Sequence, residues 1–131
     1  MRINGKEPRV IFALNQPTEV EDVRRIREAG IEHFAIGTGS YNGQQERVYN
    51  VSIDYLPNVR QLAAYHNQES ILILDNQYNA WLSFKEGNYP SYSGGSSDVC
   101  KYLGEFKEIS STQAARLESW SQFHGVYYAA R

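Results

Sequence analysis

Apolar residues along this chain fall into short runs that alternate between the period of a strand and the period of a helix. Residues 9–14 are rich in β-branched and aromatic side chains, which predicts a first strand. Thr18 and Glu21 then form a capping box, apolar residues follow at helical spacing, and Gly30 stands where a helix commonly ends. The first part of the chain therefore predicts a strand followed by a helix.

The next segment predicts a hairpin and a second helix. Residues 31–41 and 46–53 have the alternating pattern of strands, and an Asn-Gly dipeptide typical of tight hairpin turns lies between them. Asp54 is a good helix N-cap, and apolar residues continue at helical spacing as far as His66. The chain then enters a short apolar run that predicts another buried strand.

The second half of the chain predicts three strands, one long loop and a last helix. The loop is rich in Gly and Ser, which favour irregular structure. For the tail after the helix we predict no secondary structure. The predicted strands are 70–75, 80–84 and 102–109, the loop is 85–100, the helix runs from 111 to 123, and the tail is 124–131.

The order of these elements predicts the fold. Strand-helix-strand-strand-helix-strand is the order of the ferredoxin-like split βαβ arrangement, in which both helices cover one face of an antiparallel sheet. A length of 131 residues fits one domain over 1–131. We predict an α+β fold of the ferredoxin-like βαββαβ type, with an extra C-terminal strand and helix.

Charge and composition exclude several kinds of function. Thirteen Lys and Arg against fifteen Asp and Glu give a net charge of -2 with the signs interspersed, so binding to nucleic acid is not expected. No apolar stretch approaches the roughly 20 residues that span a membrane. The single Cys100 excludes an intrachain disulfide, and the first residues lack the apolar core of a signal peptide. These features predict a cytosolic protein.

The common catalytic signatures are absent from the sequence. Gly37 and Gly39 are not followed by the third glycine of a dinucleotide site or the Gly-Lys of a phosphate loop. His33, His66 and His124 are far apart along the chain, with no Cys pair beside them. We therefore predict no metal and no cofactor.

Three local patterns remain, in a fixed order. They are Gly-Ser-Tyr at 39–41 with Glu46 across the hairpin, Gln-Glu-Ser at 68–70, and Leu-Gly-Glu-Phe at 103–106. Taken together, over roughly residues 34–108, they resemble the bacteriophage S-adenosylmethionine hydrolase/lyase family. Members of that family are anti-restriction enzymes that remove the methyl donor of the host.

The resemblance implies a homotrimer of ferredoxin-like subunits built like the PII signalling proteins, with S-adenosylmethionine bound between subunits in the host bacterial cytoplasm. It also implies cleavage to methylthioadenosine and L-homoserine lactone. The sulfonium already makes methylthioadenosine a good leaving group, so the substrate's own carboxylate can close the lactone. The protein then has to position the substrate rather than supply a nucleophile.

Within this resemblance Glu69 is the predicted catalytic residue. It stands between the second helix and an apolar strand, where a charge usually has a partner or a task. The sulfonium charge disappears in the reaction, so we place Glu69 on the substrate ammonium, where it does not favour the ground state. The predicted substrate-binding residues are Ser40, Tyr41, Glu46, Tyr49, Gln68 and Ser70.

Other interpretations stay open at this point. Glu69 could be a solvated loop carboxylate, Tyr41 and Tyr49 could pack the hairpin, and Glu46 could pair with Arg47 or Lys85. The alternative reaction is hydrolysis to homoserine, with Glu69 as general base on a water. A third function is a PII-like trimer that binds an adenine nucleotide without turnover. A ferredoxin-like RNA binder would need a basic surface that this chain lacks.

Overall fold

The computed structural model describes residues 7–68, 70–84 and 100–131. The predicted catalytic residue Glu69 and nearly all of the predicted loop 85–100 lie outside the described residues. A 3-10 turn at Ile53–Tyr55 precedes the second helix. The strands are β1 (Arg9–Phe12), β2 (Ala35–Tyr41), β3 (Gln44–Ser52), β4 (Ser70–Leu74), β5 (Asn79–Phe84), β6 (Cys100–Ile109), β7 (Trp120–Phe123) and β8 (Val126–Ala130), and the helices are α1 (Glu19–Glu28), α2 (Leu56–Tyr65) and α3 (Ser111–Ala114).

These eight strands form one closed antiparallel barrel in the order β1-β3-β2-β7-β8-β6-β5-β4. Strand β1 closes the barrel, because Val10 pairs with Val51 of β3 on one side and with Ile73 of β4 on the other. Among the described helices, none is long and apolar enough to cross a lipid bilayer.

Alternate residues of β1 enter two different cores. Val10 and Phe12 face outward and pack in a cluster that contains Ile26 of α1 and the buried residues of α2. Ile11 and Ala13 face inward, into a cluster that fills the barrel with side chains from β3, β4, β5, β6, β7 and β8. Both faces of β1 are therefore buried, which is why its sequence is a nearly continuous apolar run.

The ferredoxin-like α+β fold predicted from the sequence is wrong. Strands β1 to β4 and the two longer helices occur in the predicted chain order, but they are only half of the sheet. Strands β5, β6, β8 and β7 connect the edge at β4 to the edge at β2 and close the barrel. Closure removes both sheet edges and buries the second face within one chain. The ferredoxin-like, PII-like subunit that the resemblance implies is therefore not the fold of this chain.

The helix predicted over 111–123 is also wrong for most of its length. Ser110 does start a helix, in a capping box with Gln113, but that helix ends after one turn. The chain then forms the β7–β8 hairpin. His124 and Gly125 at its turn both have positive φ, as the tightest hairpin turns require. The unassigned tail supplies β8 and so completes the barrel.

Two glycines of β2 let the interior of the barrel close. A Cβ on Gly37 would lie 2.6 Å from Cδ1 of Phe123, and a Cβ on Gly39 would lie 2.8 Å from Cγ1 of Val48. Neither distance leaves room for a side chain. This part of the glycine-rich segment therefore serves close packing of strands and interior side chains.

We expect Gly37→Ala to lower the free energy of unfolding by about 1 to 3 kcal/mol, because the added methyl group meets the backbone carbonyl of Gln122 and the ring of Phe123. Urea denaturation of the purified variant measures this. Thr38→Ala, a change at the next position of the same strand, is the matched control. An unchanged denaturation midpoint for Gly37→Ala would contradict the packing role.

Candidate functional site

A cavity of about 570 Å³ opens at one end of the barrel. Its lining residues come from the C-terminal parts of β1, β2, β5 and β8 and the N-terminal parts of β3, β4, β6 and β7, which lie at the same end in an antiparallel barrel. We call this end the mouth. The volume is in the range usual for small-molecule sites. The apolar part of the wall includes Ile11, Leu72, Leu82, Leu103 and Phe106.

Five of the six predicted substrate-binding residues line this cavity. The β2–β3 hairpin contributes one group of them, and the segment between α2 and β4 contributes the other. Glu69 stands between two members of the second group in the sequence and lies outside the described residues. The five are Ser40, Tyr41, Glu46, Gln68 and Ser70.

Ser40 is held by the segment that precedes β7. Its hydroxyl donates to the carbonyl of Glu118 at 3.0 Å, and the same carbonyl accepts from the backbone N–H of Gly43 at 3.0 Å. The side chain is buried. Because its proton is used within the protein, Ser40 can offer a ligand only an acceptor oxygen.

Gln68 is held by the loop between β1 and α1. Its Nε2 donates to the carbonyl of Leu14 at 3.2 Å, and its Oε1 accepts from Nδ2 of Asn15 at 3.5 Å. The backbone N–H of Gln68 also donates to the carbonyl of Ala63 in α2 at 2.8 Å. The position of Gln68 at the mouth thus depends on that loop.

Tyr41 and Glu46 lie at the mouth on neighbouring strands. Tyr41 is 42% exposed, and Glu46 lies opposite Gly39 in the β2–β3 register. Among the described residues, Glu46 has no ion pair. Of its two suggested partners, Arg47 points to the other face of β3 and bonds to Asp22 instead, and Lys85 lies outside the described residues. As far as the described residues go, no cation of the protein occupies the carboxylate of Glu46.

Tyr49 lies away from the cavity. It is fully buried on the outer face of β3, with its ring packed against Phe12 and Phe34. Its hydroxyl donates to Oδ2 of Asp22 at 2.7 Å. Burial first, and the Asp22 carboxylate second, raise the pKa of Tyr49 above its ordinary value. Tyr49 therefore packs on the outer face of the hairpin and does not contact the cavity.

Asp22 is the centre of a hydrogen-bond network that the sequence analysis did not find. The side chain is fully buried and accepts from Tyr49, from Nε of Arg47 at 3.0 Å and from the backbone N–H of Gln16 at 3.1 Å. Nη2 of Arg47 also donates to the carbonyl of Gln16 at 2.6 Å. The bond to Asp22 raises the pKa of Arg47. Asp22 lies four residues before Ile26 on the buried side of α1, and this spacing was the signal that could have revealed it.

The described histidines do not form a metal site. Among the described residues, no three His, Cys, Asp or Glu side chains lie close enough together to hold an ion. Nδ1 of His66 lies 3.2 Å from Nε2 of Gln16. Gln16 belongs to the loop between β1 and α1, the same loop that holds Gln68.

The model of the S-adenosylmethionine lyase family matches residues 13–131, from the end of β1 to the end of the chain. The chain belongs to the S-adenosylmethionine lyase family. The resemblance read from the sequence is thereby confirmed, and it extends well beyond 34–108. A search of curated proteins finds no match.

As a member of this family the chain is an enzyme that acts on S-adenosylmethionine. The match includes every residue of the cavity wall except Ile11 and Phe12. Several polar wall residues of this lyase-family cavity come from β6, from β7 and from the residue before β7, and the sequence analysis predicted none of them as site residues. They are Lys101, Ser119 and Ser121.

Proposed function

We propose that this chain cleaves S-adenosylmethionine to methylthioadenosine and L-homoserine lactone in the cavity at the barrel mouth. The observation that carries the proposal is that five residues predicted from two separate segments line one cavity of a size suited to a nucleoside ligand. Family membership supplies the substrate. It also favours an enzyme over a nucleotide-binding regulator without turnover.

The reaction needs no group from the protein to form or break a bond. One oxygen of the substrate carboxylate attacks the γ carbon of the same molecule, a C–O bond forms, and the C–S bond breaks. The electron pair of that bond goes to sulfur, which loses its positive charge. Negative and positive charge cancel, and no proton moves. Neither a general acid nor a general base is required in this step.

The cavity contributes by fixing the conformation of the substrate and by reducing its contact with water. The methionine end must be folded so that its carboxylate meets its own γ carbon, and such positioning is worth roughly 7 to 11 kcal/mol at the extreme. Because the two charges cancel as the lactone forms, a wall poor in water destabilises the charged ground state more than the transition state. Leu72, Leu82 and Phe106 supply that kind of wall.

The polar residues at the mouth fit the rest of the substrate. Tyr41 offers an aromatic face for adenine or sulfonium, and a cation–π contact of this kind contributes about 0.5 to 2 kcal/mol. Ser40, Gln68 and Ser70 offer hydrogen bonds to the ribose or the amino-acid end. Glu69 is proposed as the carboxylate that holds the ammonium and keeps the methionine end folded.

Isotope labelling tests the reaction. In water enriched in oxygen-18, with quenching during the first turnovers, we expect unlabelled L-homoserine lactone to appear before any homoserine. The reason is that both lactone oxygens, the one in the ring and the one on the carbonyl, come from the substrate carboxylate. Liquid chromatography with mass spectrometry measures both products.

Authentic lactone incubated in the same labelled buffer is the control, since its slow opening places the label in the carboxyl group. Homoserine labelled on its side-chain hydroxyl, with no earlier lactone, would contradict cyclisation. That result would favour hydrolysis by a water activated by Glu69.

The setting of this activity is also a proposal. In a bacterial cytoplasm, cleavage would deplete the methyl donor on which restriction–modification systems depend, as the bacteriophage family resemblance implies. A homotrimer with sites between subunits stays a prediction from that resemblance, and light scattering of the purified protein measures it.

A further inference from the structure

Two charged residues, Glu46 and Lys101, are the ionic side chains among the described wall residues of the cavity. Glu46 lies on β3 and Lys101 on β6. In the closed order of eight strands, β3 and β6 are four strands apart in either direction. The carboxylate and the ammonium therefore belong to opposite walls of the mouth.

The register of β6 explains why Lys101 belongs to the wall. Lys101 pairs with Leu82 of β5, and both Leu82 and Leu103 line the cavity. Tyr102, between Lys101 and Leu103 in the strand, points to the outer face. There the centroid of its ring lies 5.0 Å from that of Trp81, and its hydroxyl donates to the side chain of Asn79 at 3.0 Å. Because side chains alternate along a strand, the residues on either side of Tyr102 face inward.

Both charges are without a partner in the part of the chain that the structure describes. Lys107, on the same strand as Lys101, instead pairs with Glu105 at 3.5 Å. An unpaired cation at the rim of an apolar wall, across from an unpaired anion, is complementary to a zwitterion. The amino-acid end of S-adenosylmethionine is such a zwitterion.

We propose that Lys101 binds the substrate α-carboxylate and makes the cavity select ligands that carry one. This inference rests on the proposed function, because it takes S-adenosylmethionine to occupy the mouth. The assignment also orients the substrate, because its carboxylate then lies toward Lys101 of β6.

The chemistry predicts which kinetic constant Lys101 controls. The carboxylate is the attacking group, and its charge disappears in the transition state. A cation held on that carboxylate stabilises the bound ground state at least as much as the transition state. Lys101 is therefore a residue for affinity and specificity, and its loss raises KM rather than lowering kcat.

Calorimetry with two ligands that the proposed reaction does not consume tests the assignment. S-adenosylhomocysteine keeps the carboxylate and lacks the sulfonium, whereas methylthioadenosine lacks the whole amino-acid end. We expect Lys101→Met to weaken S-adenosylhomocysteine roughly tenfold and to leave methylthioadenosine unchanged. Lys101→Arg should retain most of the affinity, and Lys107→Met is the control for loss of a positive charge on β6.

Steady-state assays of the same variant give a second readout. We expect KM for S-adenosylmethionine to rise roughly tenfold with kcat unchanged or higher. Unchanged S-adenosylhomocysteine affinity, equal weakening of both ligands, or a fall in kcat at constant KM would each overturn the role of Lys101. Ligand binding by the wild type without any consumption of S-adenosylmethionine would overturn the proposed reaction and leave the calorimetric test of Lys101 intact.

Discussion

Replacement of Glu69 by glutamine is expected to lower turnover of S-adenosylmethionine by about a hundredfold to a thousandfold with the barrel still folded. Two unit charges about 4 Å apart attract by roughly 4 kcal/mol at an effective dielectric near 20, and each 1.4 kcal/mol is a factor of ten. Glutamine keeps the shape of the side chain and removes its charge. The released methionine end would then sample extended conformations that cannot cyclise.

Chromatography of methylthioadenosine formed over time measures this effect. Glu28→Gln, which neutralises an exposed carboxylate on α1, is the matched control. Circular dichroism and thermal denaturation of both variants establish that each is folded. Near-normal turnover by Glu69→Gln would remove this residue from the site.

A large loss of stability is expected from Asp22→Ala, with a fall in the free energy of unfolding of about 3 kcal/mol. Asp22 is fully buried, and its removal leaves the Tyr49 hydroxyl, the Nε–H of Arg47 and the Gln16 N–H without their acceptor. Breaking a buried ion pair usually costs about 3 to 5 kcal/mol. The Arg47 side chain is 34% exposed and regains water, so we expect the lower end of that range.

Urea denaturation followed by tryptophan fluorescence measures the change. Glu19→Ala removes an exposed carboxylate from the first turn of the same helix and is the control for the helix itself. Asp22→Asn separates charge from shape. If Asp22→Ala unfolded at the same urea concentration as Glu19→Ala, the network would not be a source of stability.

Local signals predicted the first half of the chain well. Thr18 does accept from the backbone N–H of Glu21 at 3.2 Å, and Gly30 does adopt a positive φ at the end of α1. Asn42 and Gly43 turn the hairpin with positive φ at both positions. These features depend on residues within a few positions of one another, so a single sequence is enough to reveal them.

The second half depended on partners far away in the chain. The five residues between α3 and β7 carry no strong element signal, so the helix predicted over 111–123 runs through them. Phe123 is buried because it meets Gly37, more than eighty residues earlier. The sequence shows that position 37 is a glycine, but it does not show that the ring of Phe123 lies where a side chain at that position would be. A fold that closes through such pairs cannot be recovered from local pattern alone.

The sequence by itself determined the family, the local turns and caps, and the candidate residues Ser40, Tyr41, Glu46, Gln68 and Ser70. Alternation along β3 already placed Glu46 on one face and Tyr49 on the other. Only the tertiary structure decided which face lines the cavity and which faces the helices, because that depends on where the sheet closes. The same closure sets Lys101 across from Glu46, since opposite walls of a barrel are brought together by strand pairings that no local pattern records.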